Sequence, residues 1–106
     1  MVGGLASAFV TKGYVIITET IHDPEGMKAY SEAAAGTLGD SGAKPLVVDR
    51  QPEVLEGEWP ATQTVVLEFP SVEAARAWYT SDGYQEAVKL RQAAADSNAV
   101  ILTGLG

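Results

Sequence analysis

Two side chains near the end of the sequence, Tyr84 and Arg91, could act together on a ligand. Apolar residues recur at helical spacing over residues 84–95, which predicts a helix with Tyr84 and Arg91 on one face, two turns apart. A phenol and a guanidinium at that spacing can hold an oxyanion or a carboxylate. Arg91 lies near the middle of that face, whose other members are Tyr84, Ala87, Val88, Leu90, Ala94 and Ala95.

The position of Arg91 has two interpretations. A buried guanidinium needs a partner, because removing its charge from water is costly. In the first interpretation Arg91 pairs with an internal acid such as Glu19 or Glu68, or extends to the rim, and the protein is a non-catalytic structural dimer. In the second it lines a cleft between helices and sheet and binds a small anionic or carbonyl-bearing molecule. The sequence leaves both open.

Two other side chains are candidates for chemistry. His22 is the only histidine, and an imidazole can transfer protons near neutral pH. It stands beside Asp23, a helix-capping residue, so it could equally be a surface corner residue. Trp78 belongs to a stripe of core-type residues and could instead form a cleft wall for an aromatic ligand.

Composition excludes several classes of function. The net charge is −7, from 14 acidic and 7 scattered basic residues, which disfavours nucleic acid and anionic membranes as partners. Without cysteine and with a single histidine, no metal site and no cofactor are expected, and the lack of cysteine fits a cytoplasmic protein. A haem enzyme would depend on His22, whose corner position argues against that role. No apolar stretch approaches the roughly 20 residues of a membrane span.

The predicted element order is β-α-β-β-α-β, with the second helix broken near residue 81. This order is typical of a ferredoxin-like α+β fold: a four-stranded antiparallel sheet with its helices on one face. The other face would be apolar and bare, so we expect a homodimer with two sheets packed face to face. Residues 13–106 form the single predicted domain, and residues 1–12 are expected to be a disordered or leader segment. The predicted strands cover residues 13–21, 44–50, 62–69 and 97–104, with a possible extension at 53–55.

Several stretches resemble a known family. "LEGEWP", "VVLEFPSVEAARAWYTSDGYQEAVKLR" and "ILTG" are similar to the DUF1330 family of small bacterial proteins, over about residues 13–104. The resemblance implies the dimeric α+β barrel superfamily, whose members include cofactor-free monooxygenases, isomerases and haem-dependent enzymes. It leaves open whether this chain is an enzyme. Members often carry Gly-Gly-Arg before the second strand, where this chain has Gly42, Ala43 and Lys44, so Lys44 is a further ligand-binding candidate.

Overall fold

The structure is a computed structural model that describes residues 11–60 and 62–106. Most of the predicted leader segment therefore lies outside the described residues. The elements, in chain order, are β1 (Gly13–Ile21), α1 (Pro24–Ala35), β2 (Lys44–Asp49), β3 (Gln63–Phe69), α2 (Val72–Thr80), α3 (Asp82–Ala94) and β4 (Ala95–Thr103).

The four strands form one antiparallel sheet in the order β2-β3-β1-β4. The helices cover one face of it, where Val15, Ile17, Leu67 and Phe69 form the core with residues of the helices. The predicted ferredoxin-like fold is confirmed. Within the described part of the chain, no helix is long and apolar enough to cross a membrane.

Short polar side chains fix where the helices begin. Asp23 accepts a hydrogen bond from the backbone N–H of Gly26 at the start of α1. Ser81 ends α2 in extended backbone (φ −63°, ψ 149°) and accepts a hydrogen bond from the backbone N–H of Tyr84, so the same residue caps α3. The predicted break between the two helices is thus a single capping serine.

Three details differ from the sequence-based expectations. Strand β4 begins at Ala95, directly after α3, and not at residue 97. The Ala94 carbonyl accepts hydrogen bonds from the backbone N–H groups of His22 and Asp23. These bonds join the end of α3 to the corner after β1. Helical spacing places Leu90 on the buried side of α3, but 40% of it is exposed. Residues 53–55 form no strand extension.

The uncovered face of the sheet carries an apolar row that crosses all four strands. Val66 pairs with Val47 on one side and with Ile16 on the other, and Ile16 pairs with Val100. Val47 and Val100 are exposed. We call these four residues the outer row.

Candidate functional site

Arg91 lies inside the protein, between α3 and the sheet, with only 4% of its surface exposed. Its Nη1 donates a hydrogen bond to Ser97 Oγ, and its Nε, sealed from solvent, has no hydrogen-bond partner among the described residues. Burial disfavours the charged form, but the phenol groups of Tyr84 and Tyr30 outweigh it and raise the pKa of Arg91 above its ordinary value. The guanidinium therefore stays charged.

No carboxylate forms an ion pair with Arg91 in the described ranges. The ion pairs found there join Lys12 to Glu68 and Lys89 to Glu86, both involving exposed lysines. The pair of Arg91 with Glu19 or Glu68, which the first interpretation offered, is therefore not found among these residues. Hydroxyl groups and an aromatic ring surround the charge instead, since Arg91 Cζ lies 5.7 Å from the centroid of the Tyr30 ring.

Tyr30 and Tyr84 join α1 to α3 beneath the surface. Their hydroxyl oxygens are 2.7 Å apart, and Tyr84 is completely buried. Burial, followed by the neighbouring Tyr84, raises the pKa of Tyr30 above its ordinary value, so the phenol is neutral. The pair depends on a close helix contact: a Cβ on Gly26 would lie only 2.9 Å from Ala94 Cβ, so glycine is needed there.

A second row of side chains crosses the covered face of the sheet, and it is polar. Glu19 in β1 pairs directly with Gln63 in β3 and with Ser97 in β4. Gln63 Nε2 donates a 2.7 Å hydrogen bond to Glu19 Oε1, and Arg50 Nε donates a 3.1 Å hydrogen bond to Gln63 Oε1. We call Gln63, Glu19 and Ser97 the inner row. It is bounded by Arg50 at one end and Arg91 at the other.

Glu19 is the most deeply buried carboxyl group of the described residues, with 1% of the residue exposed. Burial raises the pKa of Glu19 above its ordinary value, while the hydrogen bond from Gln63 and the positive charge of Arg91 act in the opposite direction. The net effect is a carboxyl group that holds its proton more tightly than an exposed glutamate does.

A cleft of about 220 Å³ opens between α1 and the strands β1, β2 and β3, at the Arg50 end of the inner row. Ile17, Met27, Leu67 and Trp78 contribute apolar walls, and the polar lining includes Glu19, Tyr30, Ser31, Arg50 and Gln63. A wider depression of about 710 Å³ adjoins it and shares Met27, Ser31, Arg50 and Gln63 with it. The cleft is smaller than the roughly 300–1,000 Å³ typical of sites for drug-sized ligands, so it suits a small molecule.

The structure separates the candidate residues that were chosen from the sequence. Trp78 lines the cleft. Tyr84 and Arg91 lie behind Tyr30 and line neither cavity described above. Lys44 pairs with Glu68, which places it on the uncovered face of the sheet. His22 is exposed at the corner before α1.

Sequence reasoning missed Arg50 and Gln63, and it considered Glu19 only as a partner for Arg91. One signal for Glu19 was available. Val15, Ile17 and Glu19 alternate along β1, so the covered face that takes the two apolar residues also takes the acid. Arg50 gave no such signal, since it follows the exposed strand β2 and reaches the cleft only through the fold.

Metal binding finds no support in residues 11–60 and 62–106, which contain no cluster of three or more histidine, aspartate or glutamate side chains able to hold an ion. The polar groups that line the cleft are a carboxyl, an amide, a phenol, a serine hydroxyl and a guanidinium.

The chain belongs to the family described as Domain of unknown function (DUF1330), which it matches over residues 12–105. This confirms the resemblance seen in the sequence. No curated protein matches the sequence.

Solved structures show the same fold. A protein of unknown function from Rhodopseudomonas palustris is 22% identical with a TM-score of 0.72, and the match covers 100% of this chain and 95% of that one. A dimeric ferredoxin-like protein of unknown function from Thermobifida fusca is 14% identical (TM-score 0.64; 90% and 92% covered). SnoaB from Streptomyces nogalater, a cofactor-independent oxygenase solved as a mutant, is also 14% identical (TM-score 0.64; 90% and 94% covered). At these identities the likeness concerns the fold.

Proposed function

We propose that this protein binds a small molecule bearing a carboxylate or carbonyl group in the cleft between α1 and the sheet. The observation that carries the proposal is the placement of Arg50. Its Nε is held by Gln63, while its two Nη groups make no hydrogen bond or ion pair within the described residues. A planar guanidinium fixed on one side and free on the other is suited to bind a carboxylate with two hydrogen bonds.

The remaining groups have distinct roles in this proposal. Trp78 provides an aromatic wall for the body of the ligand. Tyr84 and Arg91 act indirectly, because they fix Tyr30, which lines the cleft. Lys44 takes no part, since it lies on the opposite face of the sheet. In this proposal the residue that contacts the anion is therefore Arg50 and not Arg91.

The two tryptophans allow a direct test with benzoate as the probe. Trp78 lines the cleft and its indole N–H donates to Thr37 Oγ1, whereas Trp59 lies outside the cleft and donates to Thr64 Oγ1. In a ¹⁵N-correlated NMR spectrum, benzoate is expected to shift the indole signal of Trp78 and leave that of Trp59 in place. Benzamide, which has the same shape without the charge, is expected to bind at least ten-fold more weakly.

Matched arginine variants identify the anchor. Arg50→Met is expected to abolish the difference between benzoate and benzamide. Arg76→Met is the control, because Arg76 is an exposed arginine on α2 that lines neither cavity. A Trp78 signal that stays unchanged at millimolar benzoate, or equal losses in both variants, would refute the proposal.

We further propose that the protein is a homodimer that covers the outer row of each sheet with that of its partner. Val47, Val100 and Leu102 are exposed on that face, at 42%, 49% and 46%. An apolar surface of this kind on a soluble protein marks an interaction site. Several proteins of similar fold are described as dimeric. Light scattering coupled to gel filtration is expected to give twice the mass of the chain.

Catalysis without a cofactor is compatible with such a cleft. The oxygenase from Streptomyces nogalater shows that this fold can support a cofactor-independent reaction in another protein. In the present chain, a reaction without a cofactor would need a group in the cleft that accepts or donates a proton.

A further inference from the structure

The Glu19 carboxyl group combines three features that a solely structural acid does not need. It is almost completely buried, it lines the cleft, and it has no ion-pair partner among the described residues. A buried acid without such a partner destabilises the fold. A role in the cleft that it lines would explain why the chain has an acid at this position.

Hydrogen bonding leaves one oxygen of this carboxyl available. Gln63 Nε2 donates to Oε1, while Oε2 receives no hydrogen bond from the described residues. Arg91 Nε is the one side-chain polar atom of those residues that is both sealed from solvent and unpaired. Oε2 therefore retains access to the cleft, and Gln63 fixes the direction in which it points.

We propose that Glu19 is the proton acceptor of the cleft, acting on a bound carbonyl compound that has an acidic C–H bond next to its carbonyl and carries a carboxylate. This proposal rests on the proposed function, since Arg50 must hold the ligand carboxylate. The C–H bond breaks, the proton moves to Glu19 Oε2, and the electron pair forms a carbon–carbon double bond while the carbonyl oxygen becomes an enolate. No oxidant or cofactor takes part in this step.

The surroundings of Glu19 suit a proton that moves in both directions. Burial raises the pKa of Glu19, which makes its carboxylate a stronger base than an exposed glutamate. The charged and titratable groups that face it are Arg91 from α3, Tyr30 from α1 and, through Gln63, Arg50 after β2. The two arginines stabilise negative charge at either end, and the neutral Tyr30 does not compete for the proton.

The test uses phenylpyruvate, which carries a carboxylate beside a carbonyl and an acidic methylene group. Exchange of the methylene hydrogens in D₂O is followed by ¹H NMR with the wild-type protein, Glu19→Gln and Glu68→Gln. Glutamine at position 19 keeps the oxygen that Gln63 binds and removes the base. Glu68 is the matched control, because it is a glutamate in the neighbouring strand on the uncovered face, where it bonds to Lys12 and Tyr14.

Wild type and Glu68→Gln are expected to exchange the methylene hydrogens about 100-fold faster than Glu19→Gln, the lower end of what a positioned general base contributes. The difference should grow as pH rises, because the carboxylate form is the base. The Trp78 indole signal, measured in the same samples, reports binding independently. If it shifts while wild type exchanges no faster than Glu19→Gln, the role of Glu19 is refuted and the binding cleft stands. If it does not shift, the proposed function fails and this inference fails with it.

Discussion

The two faces of the sheet carry rows of opposite character, and each lies on the side where it is least expected. The outer row, Val47–Val66–Ile16–Val100, is apolar and uncovered. The inner row, Gln63–Glu19–Ser97, is polar and lies under the helices. A sheet with one face in water normally shows the reverse arrangement.

The proposed dimer and the proposed cleft each account for one side of this inversion. In the proposed dimer the outer row packs against the matching surface of a second copy of the same chain. The inner row needs polar partners, which the fold provides in two ways. At the Ser97 end Arg91 closes the row with internal hydroxyl groups, whereas at the Gln63 end the row opens into the cleft beside Arg50.

The largest effect is expected from a charge placed in the outer row. Val66→Asp would put a carboxylate in the middle of two packed sheets, where an unpaired charge costs about 3–5 kcal/mol. The variant is expected to be monomeric at concentrations at which the wild type is a dimer, as measured by sedimentation velocity.

Leu90→Asp is the control for that variant. Leu90 is also an apolar residue that is partly exposed, but it lies on α3, away from the sheet. Its variant should remain dimeric. A wild-type chain that sediments as a monomer, or a dimer that tolerates Val66→Asp, would show that the outer row is not the interface.

A smaller effect is expected at the closed end of the inner row. Arg91→Met keeps the volume of the side chain and removes a buried charge that, among the described residues, has no carboxylate partner and an unpaired Nε. We expect the free energy of unfolding to change by less than about 1 kcal/mol, because the loss of the hydrogen bond to Ser97 Oγ and of the contact with the Tyr30 ring offsets the gain from removing a buried charge. Denaturant titration at fixed protein concentration measures the change. A loss of about 3 kcal/mol or more would instead reveal a carboxylate partner, and the candidate would be Glu19, on whose pKa the charge of Arg91 acts.

The fold was predictable because its signals are local. Runs of β-branched residues mark β1 and β3, and Asp23, Ser71 and Ser81 each cap a helix. The burial of Arg91 was also predictable, because helical spacing places it among apolar residues.

The site depends on information that local patterns do not contain. The contact between Arg50 and Gln63 depends on where the chain after β2 meets the start of β3, and the link from Gln63 to Glu19 depends on the strand register. A pairing shifted by one residue would turn Glu19 towards the other face. Helical spacing marks Arg91 as unusual, yet the arginine that lines the cleft is Arg50, which no local pattern marks.

Glu19, at the centre of the inner row, should make the free energy of unfolding depend on pH. The folded-state pKa of Glu19 lies above its ordinary value of 4.5, so the folded protein holds this proton more tightly than the unfolded chain does. The contribution is fully present below the unfolded pKa and is lost as pH rises through the folded pKa. The free energy of unfolding of wild type minus that of Glu19→Gln should therefore fall as pH rises above 4.5, by about 1.4 kcal/mol per pH unit until the folded pKa is reached. A constant difference up to pH 8 would show that Glu19 ionises like an exposed glutamate.

The smallest change in the free energy of unfolding is expected from a substitution of Arg50. This prediction distinguishes Arg50 from Arg91, the arginine at the other end of the inner row. Arg50 is exposed, and within the part of the chain that the structure describes its side chain makes one hydrogen bond, to Gln63. Arg50→Met should therefore change the free energy of unfolding by less than about 0.5 kcal/mol, as is usual for a surface position. Arg76→Met should do the same, although only Arg50 is expected to matter for benzoate. If Arg50→Met instead destabilised the protein by about 2 kcal/mol, Arg50 would be a structural partner of the inner row. Its guanidinium would then serve the fold, and the proposed anion site at the mouth of the cleft would lose its main support.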